Sequence, residues 1–436
     1  MRIGLFTDTY RPSINGIVFV VESLKRELEA LGHEVYIFCP AKSIRPSKTA
    51  QLYEEDDHII RFPSIKGAFF DDYDTSIFFP ARVVQQIRDL ELDVIHVFTP
   101  SQVGLVGVRA AVKSDTPFIL QHSTDLYEFS VDYPAVLPGV LTLIGIIFPT
   151  TVKLGRKDIY EVIKLYRPRR GLTKWNKDII RRAVTILYSK ADAVIALSEK
   201  SADQLCSWQD VDHYKYQVTT MPNGVDAIRR PSKSELVKFR EQYGIDEADE
   251  VYGFVGRLGK EKNLEVLIDS VDQVVARCPK ARLLFVGDFE YRETLEALAE
   301  ESGYGERITF TGALPREDLG VAYAAMSVFV FPSLKDTQGW VLHEAAHAGL
   351  PIVLIDQKVT MVVRDEENGF FVEDNAGDIA AKVIKLLKDD ALRRKMGARS
   401  KQIARTLTEK NQVKKLARLY QEVVKKSQTK VSEIDN

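Results

Sequence analysis

The sequence predicts an α/β protein built as two successive lobes, each a parallel sheet wrapped by helices. Three observations predict it. The chain has 436 residues, more than one hydrophobic core normally serves. Short apolar runs alternate with segments of helical periodicity, the pattern of βαβ units. The alternation starts afresh beyond residue 222, so two doubly wound units follow one another.

In the first lobe, Arg2–Thr7 reads as a strand, Asn15-Gly16 as a turn, and Ile17–Leu31 as a helix closed by Gly32 at its C′ position. Glu34–Cys39 is a strand stopped by Pro40. Val94–Val97 is another, and TPSQVGLVGVRAAVK after it is a turn feeding a helix. Phe118–Gln121 is the next strand and ends at His122. Val218–Met221 then leads into the connecting turn Pro222-Asn223-Gly224. In the second lobe Glu250–Val255, Arg282–Val286, Ile308–Phe310, Val328–Phe331 and Pro351–Leu354 read as strands, with helices over Lys262–Arg277 and Tyr291–Glu301. The tail from Asp378 is helical and charge-rich, with its last residues frayed.

Composition narrows the function. Hydrophobic residues make up 45% and charged ones 28%, which excludes a disordered or low-complexity chain. Sixty basic against 62 acidic residues leave a net charge of −2, so nucleic acid is not an expected partner. Cys39, Cys206 and Cys278 are far apart with no C-x-x-C spacing, reading as reduced thiols rather than a metal or disulfide framework. The opening shows no basic n-region or long apolar h-region, so a cytoplasmic chain is expected.

Ligands of doubly wound sheets sit at the C-terminal ends of the strands, so the loops there should hold the chemistry. His343-Glu344-Ala345-Ala346-His347 fits H-E-x-x-H, a zinc pattern. Its short helix must end at Gly349 before the Pro351 strand, which makes it one more βα connection, and no metal is expected. In the same segment Asp336 and Glu344 flank Thr337-Gln338-Gly339. A helix starting near Gly339 would turn its N–H groups toward an anion, and the carboxylates would accept sugar hydroxyls. Gly256-Arg257-Leu258-Gly259-Lys260-Glu261-Lys262 follows directly on a strand, where Arg257 and Lys262 would cradle a diphosphate. There is no G-x-x-x-x-G-K-[ST] and no G-x-G-x-x-G after a strand, so ATPase and NAD readings lack their motif.

These residues resemble the retaining family 4 glycosyltransferases of GT-B architecture over nearly the whole chain. FTDTYRPSINGIVFVVESLKRELEALGHEVYIFCP, MPNGVD, VGRLGKEKN, FVGDFE, FTGALPREDL and ENGFFVEDN carry the resemblance. It implies two Rossmann-like lobes facing across a cleft: an acceptor lobe over 1–221, a nucleotide-sugar lobe over 222–410, and a C-terminal helix over 411–436 returning to the first. It also implies roles. Gly16 and Gly256 would let backbone approach the donor, His122 would lie near the donor sugar, and Arg257 and Lys262 would neutralise the diphosphate. Backbone at Ala313 and Leu314 would meet the base, Glu344 the ribose, and Thr337, Gln338 and Gly339 the donor. Asp336 stands where the family has Glu, and Phe289 where a glycine is usual. The implied transfer is front-side and retaining, without a protein nucleophile and without a metal cofactor.

The acceptor is read from residues 133–182. Residues 133–152 are uncharged and apolar, interrupted by Pro138, Gly139, Gly145 and Pro149. From Lys153 to Arg182 there are eleven basic residues and three acids, with aromatics interleaved. Arg167, Arg169, Arg170 and Trp175 are the expected contacts with anionic lipid. The resemblance is greatest to diacylglycerol glucosyltransferases and phosphatidylinositol mannosyltransferases. The expected enzyme is peripheral on the inner face of the cell membrane and moves a hexose from UDP-glucose, or GDP-mannose, to a lipid such as diacylglycerol. The alternatives are a soluble sugar or inositol phosphate acceptor, and a GT-B nucleotide-sugar 2-epimerase.

Overall fold

A computed structural model describes residues 1–13, 15–41, 56–62, 64–65, 75–76, 81–125, 127, 154–165, 172–210 and 212–434. The chain divides into two compact units, residues 1–223 with 409–436, and residues 224–408.

In the first unit β1 (Arg2–Phe6), β2 (Glu34–Pro40) and β3 (Ile59–Phe62) are followed by a small antiparallel pair, β4 (Ser64–Ile65) and β5 (Thr75–Ser76). Then come β6 (Val94–Val97), β7 (Phe118–His122), β8 (Ala193–Ala196) and β9 (Val218–Thr220). The large sheet is parallel, in the order β3-β2-β1-β6-β7-β8-β9. Its inner strands β6, β7 and β8 are buried along their whole length, as a parallel sheet covered on both faces requires. Phe6 stacks on Phe38 at 4.2 Å, and a Cβ on Gly107 would lie 2.6 Å from the Phe6 ring. That glycine lets the helix Gln102–Ser114 seat directly on the sheet.

Strand order reverses between β1 and β6, and Asp8 ties the two strand ends together. Its carboxylate accepts from the Thr99 hydroxyl at 2.6 Å and from the Val103 N–H at 2.7 Å. Burial pushes its pKa up to about 6 against those bonds.

The last helix, Glu409–Ile434, belongs to this unit and packs on the helix Gly16–Ala30. Arg26 pairs with Glu409 at its start. Further along, the Tyr420 hydroxyl lies 2.6 Å from Nδ1 of His96, both fully buried. The helix continues to Ile434, further than the fraying read from composition, and Val413, Leu416, Ala417, Tyr420 and Val423 form a buried stripe that anchors its first half.

The second unit holds β10 (Glu250–Val255), β11 (Ala281–Val286), β12 (Ile308–Phe310), β13 (Val328–Phe331), β14 (Ile352–Leu354) and β15 (Gly369–Phe371). They form a parallel sheet in the order β12-β11-β10-β13-β14-β15, reversing between β10 and β13. The single helix expected over Lys262–Arg277 is a short 3-10 turn, Lys260–Lys262, then Glu265–Ile268 and Val271–Arg277. Asn263 causes the break. It adopts φ 56° and donates its side-chain amide to Asp374 Oδ1 at 2.8 Å, a left-handed conformation that Asn tolerates.

No helix among the described residues is long and apolar enough to cross a membrane. The apolar run 133–152 and Arg167, Arg169 and Arg170 lie outside the described residues.

Candidate active site

The second unit presents its candidate residues where strand order reverses, on the loops leaving β10 and β13. Three backbones meet at the neighbouring strand ends. Gly256 and Gly287 have φ 149° and 140°, and a Cβ on Gly287 would fall 1.8 Å from the Gly256 carbonyl oxygen. The Gly287 N–H in turn donates to the Gly312 carbonyl at 3.0 Å. Only glycine permits this approach, and it draws the loops of β10, β11 and β12 side by side.

Lys262, on the β10 loop, donates to both oxygens of Asp336, on the β13 loop, at 2.9 Å each. The pair is largely shielded, with 12% and 22% of the side chains exposed. Burial raises the Asp336 pKa, but the Lys262 ammonium, the Ser333 hydroxyl and the Arg257 charge together outweigh it and the net displacement is downward. Arg257 is 57% exposed, and a guanidinium nitrogen lies 3.5 Å from Glu261 Oε1. The same guanidinium lies over the Phe289 ring, 5.0 Å from its centroid. Two cations and two carboxylates therefore gather where the chain leaves the two central strands.

Beyond Asp336, Thr337 is half-buried and Gln338 buried. Gly339 precedes the helix Trp340–Ala348 in a left-handed conformation and offers no side-chain cap. Glu344 is buried on that helix. Its Oε2 accepts from the Tyr323 hydroxyl at 2.8 Å, and its Oε1 from Arg316 at 3.3 Å. Burial raises its pKa, and Arg316 and Tyr323 oppose the rise without cancelling it. Ala313 is exposed and Leu314 partly buried against the core, just past Gly312 at φ 73°.

The two histidines of the HEAAH pentad serve packing. His343 is fully buried, and burial pushes its pKa down to about 3. His347 Nε2 lies 2.7 Å from the Val225 carbonyl and so carries its proton there. Among the described residues the group able to hold a metal is Asp210, Asp212 and His213. Asp210 there already pairs with Arg182 at 3.5 Å and His213 at 3.3 Å.

In the first unit, Gly16 is exposed and opens the helix that follows β1. Asn15 caps that helix by accepting from the Ile17 and Val18 N–H groups. His122 ends β7, buried, with Nδ1 2.9 Å from the Tyr188 hydroxyl and its ring edge-on to Trp208 at 6.4 Å. Its Nε2 is buried without a hydrogen-bond partner, and burial holds its pKa down. On the helix Arg156–Leu165, Ile159 and Tyr160 are 46% and 63% exposed beside exposed Arg156, Lys157 and Lys164. Trp175 lies on the helix Leu172–Tyr188.

Sequence reasoning missed Arg316, Tyr323 and Tyr188, which support Glu344 and His122. Arg316 stands in the quoted FTGALPREDL segment. Nothing in the spacing links Tyr323 to Glu344 or Tyr188 to His122.

Residues 14–229 match the family described as Glycosyltransferase Family 4, and residues 237–403 match Glycosyl transferases group 1. The alpha-monoglucosyldiacylglycerol synthase of Acholeplasma laidlawii is 28% identical over 86% of this chain and 85% of its own length. The GDP-mannose-dependent alpha-mannosyltransferase of Corynebacterium glutamicum is 24% identical over 81% and 72%. Among solved structures, Anabaena HepE in complex with UDP and glucose superposes with a TM-score of 0.66 at 18% identity, covering 97% of this chain and 100% of that one. Sucrose-phosphate synthase from Thermosynechococcus elongatus gives 0.67 at 20%, covering 97% and 98%.

Proposed function

Since the chain belongs to the family 4 glycosyltransferases of GT-B fold, we propose that it transfers a hexose, glucose first and mannose second, from a nucleotide sugar to a membrane lipid such as diacylglycerol, retaining the anomeric configuration. The observation that carries this reading is the juxtaposition of Arg257, Lys262 and Asp336 on adjoining loops where strand order reverses. Two cations suit a diphosphate, and the neighbouring carboxylate suits sugar hydroxyls.

In the reaction the bond from the anomeric carbon to the diphosphate breaks while the acceptor oxygen bonds to the same face. The acceptor's proton passes to a leaving phosphate oxygen, so no protein nucleophile is required. Arg257 and Lys262 stabilise the charge that grows on the departing nucleoside diphosphate, in place of a metal ion. Glu344, held by Tyr323 and Arg316, accepts the ribose hydroxyls. Gly256, Thr337, Gln338 and Gly339 bring backbone to the donor, and Ala313 and Leu314 bring it to the base.

The lipid acceptor is supported by the name of the 28% identical synthase and by the exposed Ile159 and Tyr160 among basic residues. An apolar and basic face of this kind binds anionic lipid peripherally, which fits the inner face of a cell membrane. Its "alpha" designation accords with retention from an α-linked donor. The test is radiolabelled transfer from UDP-glucose, GDP-mannose and related donors into a total lipid extract. Label in a chloroform-soluble glycolipid is expected. Label in a soluble sugar or inositol phosphate would replace the lipid reading, and an epimerised sugar from donor alone would replace transfer altogether.

A further inference from the structure

We propose that Phe289 is a positioning residue for the donor's diphosphate, acting through Arg257, whose guanidinium rests on the face of its ring. This deepens the reading of Arg257 as a diphosphate cation and rests on it.

A long side chain that is 57% exposed normally samples many rotamers, and binding must then restrict them. Arg257 has two neighbours that act differently on that freedom. Glu261, at 3.5 Å, attracts the guanidinium by charge and sets a negative charge near where phosphate should come. The Phe289 ring, at 5.0 Å, attracts the same cation through its face. It leaves the N–H groups in the guanidinium plane available for a bidentate grip on phosphate.

The distance between the two side chains is fixed by backbone. The Leu258 N–H donates to the Asp288 carbonyl at 3.2 Å, and the Tyr291 N–H donates to the Leu258 carbonyl at 3.1 Å. These bonds bracket Arg257 and Phe289 in their respective loops. Asp288 is steadied in turn by Arg292 at 3.2 Å and by the Phe289 N–H at 2.9 Å. Phe289 is 36% exposed and lies outside the buried core of its unit, so packing does not account for a phenyl ring there.

Held in this way, Arg257 grips the diphosphate in the ground state and more strongly as charge grows on it, so loss of the ring should raise KM and lower kcat as well. Calorimetric titration with UDP and with GDP tests the idea on wild type, Phe289→Leu, Phe289→Tyr, Arg257→Ala and the double variant Phe289→Leu/Arg257→Ala. Phe289→Leu should weaken the better-bound nucleotide by roughly two- to fivefold, the size of an exposed cation–ring contact. Phe289→Tyr should restore it, and Phe289→Leu should add nothing once Arg257 is alanine. Wild-type binding by Phe289→Leu overturns the proposal while leaving the clamp standing. An undiminished Phe289→Leu loss in the Arg257→Ala background overturns it too, because the ring would then touch the nucleotide itself. If Arg257→Ala binds like wild type, or wild type binds neither nucleotide, the clamp is wrong and the proposal goes with it.

Discussion

Lys262 and Asp336 satisfy one another, the ammonium bonded to both carboxylate oxygens at 2.9 Å across 74 residues of sequence. A donor that engages the pair must replace this ion pair with one new ion pair, diphosphate on Lys262, and with neutral hydrogen bonds donated by sugar hydroxyls to Asp336. Occupying one half therefore releases the other.

Asp336→Asn should lower folding stability by about 1–3 kcal/mol at neutral pH, because nearly buried Lys262 then loses its hydrogen-bonded counter-charge and keeps the more distant Glu261 at 3.9 Å. The sign with pH is set by the lowered pKa of Asp336. The pair's contribution is complete above the carboxyl's ordinary value and is lost as pH falls through the folded one. Urea titrations from pH 3 to 7 should show the wild-type advantage over Asp336→Asn shrinking toward acid. A difference independent of pH would remove the ion pair from the account. Lys262→Ala should reduce transfer about a hundredfold, the usual loss when one donor to developing charge is removed.

Glu344 behaves in the opposite sense. Burial raises its pKa, so ionised Glu344 opposes folding, and the cost grows as pH rises through the folded value. Glu344→Gln should melt no lower than wild type at pH 7, yet lose transfer by about tenfold or more as the charge-assisted bonds to ribose disappear. A variant that melts well below wild type would show that the carboxylate serves the fold.

Transfer should survive EDTA under the proposed clamp, in which Arg257 and Lys262 supply the positive charge at the diphosphate. Abolition by chelation and rescue by zinc would bring back the HEAAH pentad or the Asp210 cluster.

Binding to anionic vesicles should weaken as salt rises, because headgroup attraction is screened within about 8 Å at physiological ionic strength. Neutralising Arg167, Arg169 and Arg170 together should lower vesicle pelleting and lipid transfer in parallel. Tyr160→Ser should lower pelleting at high salt as well, since its contribution is apolar. Equal pelleting of all variants at low salt would leave a soluble acceptor as the better reading.

The layered fold was legible because each strand is a short apolar run and each helix carries its own period. Strands such as Ile59–Phe62 and Gly369–Phe371 are too short and mixed to stand out, and they exist through pairing with their neighbours. Loop chemistry was legible where a motif kept charge next to a strand end, as at Arg257 and Lys262. What spacing does not encode is partnership. Asp336 finds Lys262, Glu344 finds Tyr323 and Arg257 finds Phe289 only once the parallel strands are laid side by side. Asn263 broke the expected helix for the same reason, because its tertiary bond to Asp374 outweighs local periodicity.

The helix Glu409–Ile434 makes the first unit discontinuous in sequence. A ribosome completes residues 1–223 and then spends roughly ten to forty seconds on the second unit before that helix emerges, at the usual ~5–20 residues per second. Throughout that interval the faces destined for Tyr420 and its apolar stripe remain open, and a chain released early never covers them. Completion of the first unit is thus deferred until the second unit has been synthesised, and a prematurely ended product carries a hydrophobic scar by which proteases and chaperones can recognise it.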